Sequence, residues 1–325
     1  MPEFATALNR RLLQALPTVA GILLINFLLL QQVPGDAVDI MAGEAGGATA
    51  ESMAAMRAAY GLEGSIFERL YAYLGNLLQG NLGVSPRFNA PVMSLILERL
   101  PNSLFLVVSG LLLAVVTGIA LGTFMAAFAG RLPDRVLSLL NLVLYSTPGF
   151  WIGLLLILMF SVHLGWLPAN GHTTIGVELH GLAWLKDRLW YAVLPIVTVA
   201  TFFIAVYARL TRAAMLEVRN LDFIRTARAK GLHPVRITVR HTLRNALIPV
   251  STMAGVHFAA LFGGAAVTET VFGWPGLGRL TLDAVMTRDF NLLLGILLLS
   301  SFVVVVVNIL IDLLQQWLDP RTRAY

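Results

Sequence analysis

Between Arg209 and Asn245 the chain carries nine Lys or Arg against two acids, and long apolar runs lie on both sides of that stretch. Moving one such cation to the centre of a bilayer-spanning helix costs about 2.5 to 3.5 kcal/mol, so burying nine would cost roughly 20 to 30 kcal/mol. No helix of this length offsets that, so the stretch must lie in water while its flanks do not. Composition agrees with a membrane protein. Hydrophobic residues make up 57% of the chain, charged residues 13%, and the mean hydropathy is +0.77, against a charged share of about 25% in soluble domains. The chain reads as an all-α integral membrane protein.

The cationic stretch has its own internal order. Glu217 to Lys230 contains neither Pro nor Gly and is expected to form one helix. Gly231 then supplies a stop, because glycine alone takes the left-handed cap without steric cost. Pro234 stands where a first helical residue belongs, its missing N–H costing nothing there. In the next helix, Val235, Val239 and Leu243 recur at i, i+4 and i+8, with Arg236, Arg240 and Arg244 one position behind. That spacing predicts an apolar ridge beside a cationic one. Charge alone also fits a topology signal or a contact with anionic lipid, worth about 1 kcal/mol per cation. Nucleic acid is disfavoured, since Phe223 is the sole aromatic in the stretch and no reader fold is evident.

The string RTARAKGLHPVRITVRHTLRNALIPV, from Arg225 to Val250, resembles the EAA loop of ATP-binding-cassette (ABC) importer permeases of the dipeptide/oligopeptide/nickel family. Two further strings support the resemblance, ETVFGWPGLGRL (Glu269 to Leu280) and VPGDAV (Val33 to Val38). Where the general pattern opens with Glu-Ala-Ala six residues before its Gly, this chain has Arg225, Thr226 and Ala227, with Gly231 matching and Pro249 later than the usual Pro. The resemblance implies a type I importer permease bundle of six transmembrane helices whose loop carries a cytoplasmic coupling helix docked on an ATPase. It implies coupling roles for Arg225, Thr226, Ala227, Gly231, Pro234, Val235, Arg236 and Val239. The implied partners are a second related permease, two ATP-binding subunits or domains, and an extracytoplasmic substrate-binding protein, all at the bacterial cytoplasmic (inner) membrane and its lipid. No cofactor is expected on this chain, with ATP and Mg on the ATPase partners. The implied cargo is short peptides first and nickel or related small solutes second.

Taken in order, the apolar runs are Leu12 to Leu30, Leu104 to Ala129, Val136 to Leu164, Leu189 to Leu210, Ala246 to Thr268 and Asn291 to Leu314. The expected division is a first segment and span at 1–30, an extracytoplasmic region at 31–99, a permease core at 100–314 with the coupling loop at 217–245, and a tail at 315–325. Within 31–99, helical pieces are expected near Glu51 to Tyr60 and Ile66 to Leu78. Gly118 and Gly122, with Ala114 a turn earlier, allow close helix approach and offer a face on which a second permease could pack. Ser146-Thr147-Pro148-Gly149 interrupts the third run and predicts a kink, with pathway lining as the other reading. If six spans alternate, Arg10, Arg11, Arg131, Arg135, the cationic stretch, Arg321 and Arg323 share one face. By the positive-inside rule that face is the cytoplasm, and both termini lie there.

The chemistry for catalysis is missing from the sequence. No phosphate-binding Gly-x-x-x-x-Gly-Lys-Ser/Thr, His-Glu-x-x-His or Gly-x-Ser-x-Gly occurs, and there is no Cys. Asp36, Asp39 and Glu44 do not fit a calcium loop, and His172 and His180 are a weak metal pair. The polar atoms left for a pathway are on Thr147, Thr198, Thr201, Ser251, Thr252, His257, Ser300 and Ser301, of which Thr147, Thr201, Ser251 and His257 are the candidate lining residues. A secondary transporter or channel working without an ATPase is the alternative. Dependence of transport on a separate nucleotide-hydrolysing subunit discriminates the two.

Overall fold

Six apolar runs become helices in the computed structural model, which describes residues 17, 19–32, 34–45 and 47–318. They are α1 (Val19–Gln31), α5 (Val92–Ala127), the pair α6 (Leu132–Ser146) and α7 (Gly149–Leu156), α8 (Gly181–Val218), α11 (Arg244–Gly264) and α14 (Phe290–Leu318). Between them lie α2 (Ala37–Glu44), α3 (Ala50–Ala59), α4 (Ile66–Leu78), α9 (Asp222–Ala229), α10 (Pro234–Arg236), α12 (Ala266–Val271) and α13 (Leu277–Met286). Strands β1 (Val84–Ser85) and β2 (Ala90–Pro91) pair antiparallel. Among the described residues three helices, α5, α8 and Phe290–Leu310 of α14, are long and apolar enough to cross a bilayer, and α6 with α7 makes a fourth if counted as one broken span. The described part of α1 has 13 residues, and α11, with 21 residues, is about 31 Å long.

The third apolar run is not one straight helix. α6 and α7 meet at 103°, because Pro148 has no N–H to offer the preceding turn and its ring excludes a continuing helix. Thr147 closes α6 from both its groups, with its N–H (3.1 Å) and its hydroxyl (2.7 Å) donating to the Val143 carbonyl. α7 then continues as a π-helix over Ile157–His163.

One compact unit comprises the described residues up to Ser103 together with Pro275–Ile309. Asp36 caps α2 in a reciprocal box with Asp39, and Ser65 caps α4 in the same way with Glu68. Arg57 of α3 then bonds Asp36 at 2.8 Å and Asp39 at 2.5 Å, so these carboxylates serve the α2 cap and its clamp to α3. At the start of α14, buried Asp289 accepts from the Leu292 N–H at 3.0 Å and from the Ser85 hydroxyl. This ties the helix to β1. Gly295 permits close packing on α5, since a Cβ there would lie 2.5 Å from Val92 Cγ1.

The other unit comprises Leu104–Trp274 and the described residues from Leu310. α8 is its centre, touching α6, α7, α11 and α12. α5 meets α8 through a glycine series at i, i+8 and i+12. A Cβ on Gly110 would lie 2.7 Å from Val199 Cγ1, one on Gly118 2.5 Å from Tyr207 Cβ, and one on Gly122 2.5 Å from the Ala208 carbonyl oxygen. Gly118 and Gly122 are thus consumed inside the chain, and the expectation that they leave a face for a second permease is corrected. Around this contact Ala114, Ala200, Tyr207 and Val250 form a buried cluster. The Gly-Trp-Pro string places Trp274 at zero exposure, stacked on Phe105 at 6.1 Å.

Because the Gly122 contact is to backbone, no side chain can move aside to relieve it. Gly122→Leu is expected to cost about 1 to 3 kcal/mol or more, read as a lower melting temperature in detergent and loss of the monodisperse peak in size exclusion. Gly130→Ala, where a Cβ meets nothing within 4 Å but φ is +78°, should show only a small backbone penalty of about 1 kcal/mol.

Candidate functional site

α8 delivers the chain into the cationic stretch, and the point where it ends sets the path of the loop. The expected single helix from Glu217 to Lys230 is divided, because α8 stops at Val218 and α9 begins at Asp222. Asn220 and Asp222 flank the break, residue types whose side chains favour turns, and Asp222 falls in the first turn of α9, where an acid suits the helix dipole. The turn folds α9 back so that Ile224, Ala227 and Ile237 form a buried cluster covered by Val218 and Leu232. The loop thereby has a small apolar core of its own.

Gly231 ends α9 as its sequence context requires. Its φ is +72°, its N–H donates to the Arg228 carbonyl at 2.9 Å, and the Leu232 N–H donates to Ala227 at 3.3 Å. These two bonds form a Schellman cap, and Leu232 packs back on the cluster as that motif demands. A Cβ on Gly231 would meet nothing within 4 Å, so any other residue is opposed by backbone strain alone, about 1 to 2 kcal/mol. The His233 ring then caps the next helix, its Nδ1 accepting from the Val235 N–H at 3.4 Å, and Pro234 opens that helix.

Beyond α10 the helix winds as a π-helix over Ile237–Leu243 before becoming α11. Ile237 and Thr242 are buried five residues apart, and Ala246 and Val250 come after them at steps of four. The five-residue step is what one π turn inserts. Val235 and Val239 face out, 63% and 54% exposed, with Arg236 and Arg240 exposed beside them. Leu243 does not extend this ridge as expected. The extra residue turns it inward, where it packs on Ala126, Ala214, Met215 and Ala246.

The nine cations divide by role. Arg212 makes a two-pronged bond to Asp134, Nε to Oδ1 at 2.6 Å and Nη2 to Oδ2 at 2.7 Å, and the Gly130 N–H adds a third bond to that carboxylate at 2.8 Å. Arg209 lies over the Tyr145 ring at 4.2 Å. Arg219, Arg225, Arg228, Lys230, Arg236, Arg240 and Arg244 are exposed. Arg225 reaches Asp222 at 3.4 Å with both side chains largely in solvent, a pair worth little. Thr226 donates to the Asp222 carbonyl of its own helix, and Ala227 is buried beneath it. Sequence reasoning missed Asp134. Its signal was the lone acid in Arg131-Leu-Pro-Asp134-Arg135, placed in the first turn of α6.

The four candidate lining residues are not drawn into one constellation. Thr147, Thr201 and Ser251 donate to the carbonyls of Val143, Val197 and Ile248 in their own helices, at 2.7, 2.7 and 2.8 Å. His257 instead bridges helices, its Nδ1 lying 3.0 Å from the Tyr207 hydroxyl and its ring 5.0 Å from Phe203. None of the four bonds another. Asp312, the acid well inside the sixth apolar run, lies outside the described side chains.

The family described as binding-protein-dependent transport system inner membrane component matches residues 118–324, a span that contains the whole cationic loop. The chain belongs to this family. It is the permease subunit of an ABC importer, an inner-membrane component, and ATP hydrolysis in such systems is on separate subunits. It is 38% identical to the di/tripeptide transport system permease protein DppB of Pseudomonas aeruginosa over 97% of each chain. It is 36% identical to the oligopeptide transport system permease protein AppB of Bacillus subtilis, over 98% of this chain and 99% of that one. Inward-facing structures of the MetNI methionine ABC transporter share its fold, with a TM-score of 0.56 at 19% identity over 70% of this chain and 97% of that one. The type I importer permease fold is therefore the fold of this chain.

Removing one member of the Asp134–Arg212 pair strands the other charge. Asp134→Ala is expected to lower stability by about 2 to 3 kcal/mol, below the full buried-pair figure because Arg212 keeps 30% of its side chain exposed. The double variant Asp134→Leu with Arg212→Met should recover most of that loss, as measured by melting in detergent.

Proposed function

We propose that this permease forms half of a translocation pathway for short peptides delivered by an extracytoplasmic binding protein, with nickel or a related small solute as the second cargo class. The names of its relatives, di/tripeptide and oligopeptide permeases similar over nearly their whole length, support that cargo. A second, related permease completes the pathway, and two ATP-binding subunits bind ATP and Mg and hydrolyse it. Both termini lie in the cytoplasm, the region 31–99 lies outside it, and the cationic loop 217–245 lies on the ATPase side. Polar groups on Thr147, Thr201, Ser251 and His257 line the way for the solute, weakly enough that it is not held.

The observation that carries the coupling role is the exposure of Val235 and Val239 on a short helix that is capped and braced from within. Two β-branched apolar side chains left in water on a rigid support are what a docking contact needs, each contributing up to about 1.5 to 3 kcal/mol when covered. Gly231 and Pro234 fix the turn between the helices, and Ala227 lets them pack closely. Arg225, Arg236 and their exposed neighbours steer and orient the ATPase, an effect that salt weakens. Thr226 secures the first turn of α9.

In the reconstituted transporter, Val235→Asp is expected to leave the protein folded, since the site is exposed, and to reduce substrate-stimulated ATP hydrolysis and uptake by at least about tenfold. Gly231→Val should do the same through the backbone, whereas Arg236→Gln should give a milder loss that grows with salt. Normal transport by both Val235→Asp and Gly231→Val would reduce the loop to a topology signal.

Orientation is tested separately. Single cysteines at Ala50 and Ala229, both exposed, should label from opposite sides of the membrane with an impermeant reagent. Labelling from one side would overturn the arrangement of the termini and of the loop.

A further inference from the structure

α4 has two faces of opposite character. Phe67, Tyr71, Leu74 and Leu78 recur at i, i+4, i+7 and i+11, and all four are exposed, Phe67 and Tyr71 to 83%. A stripe of that kind belongs in the interfacial layer of a bilayer rather than in water. On the other side of the helix Arg69, Tyr73 and Asn76 line a cavity of about 330 Å³. Its wall is completed by Phe27 and Gln31 at the end of α1, by residues 58–62 at the end of α3 and the turn after it, by residues 81–84 leading into β1, and by residues at the start of α14, so it opens beside the ends of two apolar helices of the same unit.

The wall of the cavity contains one cation and no acid. Arg69 makes no hydrogen bond or ion pair among the described residues; burial lowers its pKa, the charge of Asp36 beyond the wall opposes that shift, and the group stays a cation. The Tyr73 hydroxyl is sealed from solvent with no partner, and its ring stacks on Phe27 at 5.9 Å. Burial pushes that phenol up to about 12, so it remains a donor. An unpaired guanidinium beside an unused O–H donor is the complement of an oxyanion. Below Gln31, Leu28 and Leu24 continue the same helical face and are exposed. They offer an apolar track leading away from the cavity.

We propose that this cavity holds the headgroup of an anionic phospholipid, its phosphate on Arg69 and Tyr73 and its acyl chains along Leu28 and Leu24. The amides of Gln31 and Asn76 complete the cavity wall as partners for headgroup hydroxyls. The lipid satisfies two polar groups that the chain leaves unused and anchors α4 to α1.

The test uses the assembled transporter, purified in a zwitterionic detergent with phosphatidylglycerol added, and counts bound lipid by native mass spectrometry. One phosphatidylglycerol per copy of this chain is expected to survive washing. Arg69→Gln should weaken its retention about tenfold and Tyr73→Phe a few-fold, as loss of a charge-assisted and of a neutral hydrogen bond would. Arg69→Lys should restore most of it. Millimolar glycerol 3-phosphate should not displace the lipid. Displacement by that soluble ester would assign the cavity to a free anion and overturn the lipid assignment. Unchanged retention in both Arg69→Gln and Tyr73→Phe would overturn the site. Should Arg69→Gln fail to assemble, Tyr73→Phe decides the matter alone, because Phe keeps the stacking on Phe27.

Discussion

Direct backbone contact between α5 and α8 underlies much of the larger unit. Lipid tails are as apolar as leucine, so in a bilayer no hydrophobic force drives two such helices together, and close packing must do so. Gly110, Gly118 and Gly122 remove the side chains that would hold α5 away from Val199, Tyr207 and Ala208. The segment of α8 they fix is the one from which other elements hang. Tyr207 reaches His257 on α11, and Arg212 takes Asp134 at the start of α6. Six residues beyond Arg212 the helix ends, and the loop begins at a point already set by those contacts.

The cationic loop separates support from display. Ile224, Ala227 and Ile237 are spent holding α9 against the next helix. Val235 and Val239, the same kind of side chain, remain outside. Apolar residues in a polar loop would ordinarily be taken for its core, and here they divide between core and surface. The Schellman cap at Gly231 and the ring of His233 satisfy backbone groups at the bend, so the exposed valines stand on a turn that is hydrogen-bonded from within the chain. The two acids of the stretch neutralise little of it, and seven cations face solvent around the valines. Their field reaches only about 8 Å at physiological salt, which makes them local guides.

Signals carried by a few adjacent residues were legible. Pro148 bends the third run, Gly231 stops one helix and Pro234 starts the next, because each acts through its own backbone. The apolar runs were legible in place, though α8 and α5 extend well beyond the lengths hydropathy gave them, and among the described residues three helices, or four with the bent pair, are long and apolar enough to cross a bilayer. Features that depended on distant partners were not legible. Nothing near Asp134 announces a partner 78 residues away. The division of Glu217 to Lys230 results from burying Ile224 on Ile237, a tertiary gain that outweighs helix propensity. The role of hydroxyl side chains was not legible for another reason. Ser and Thr in apolar helices can return their proton to a carbonyl a turn behind, as Thr147, Thr201 and Ser251 do, and sequence cannot tell such a group from one that meets a solute.

The π winding at Ile237–Leu243 has a geometric consequence for the whole platform. Relative to continuous α winding it inserts one residue, which changes the angular phase of everything before it by about 100° and its axial position by about 1.5 Å. With α winding throughout, Val235 and Val239 would point along a different azimuth relative to Ala246, and Leu243 would share it. The direction in which the valines look is therefore written in the pitch of seven residues and not in the valines themselves. Substitutions within that segment that restored α pitch at unchanged length would leave every exposed side chain in place along the sequence and turn the contact surface away from its bearing on the bundle.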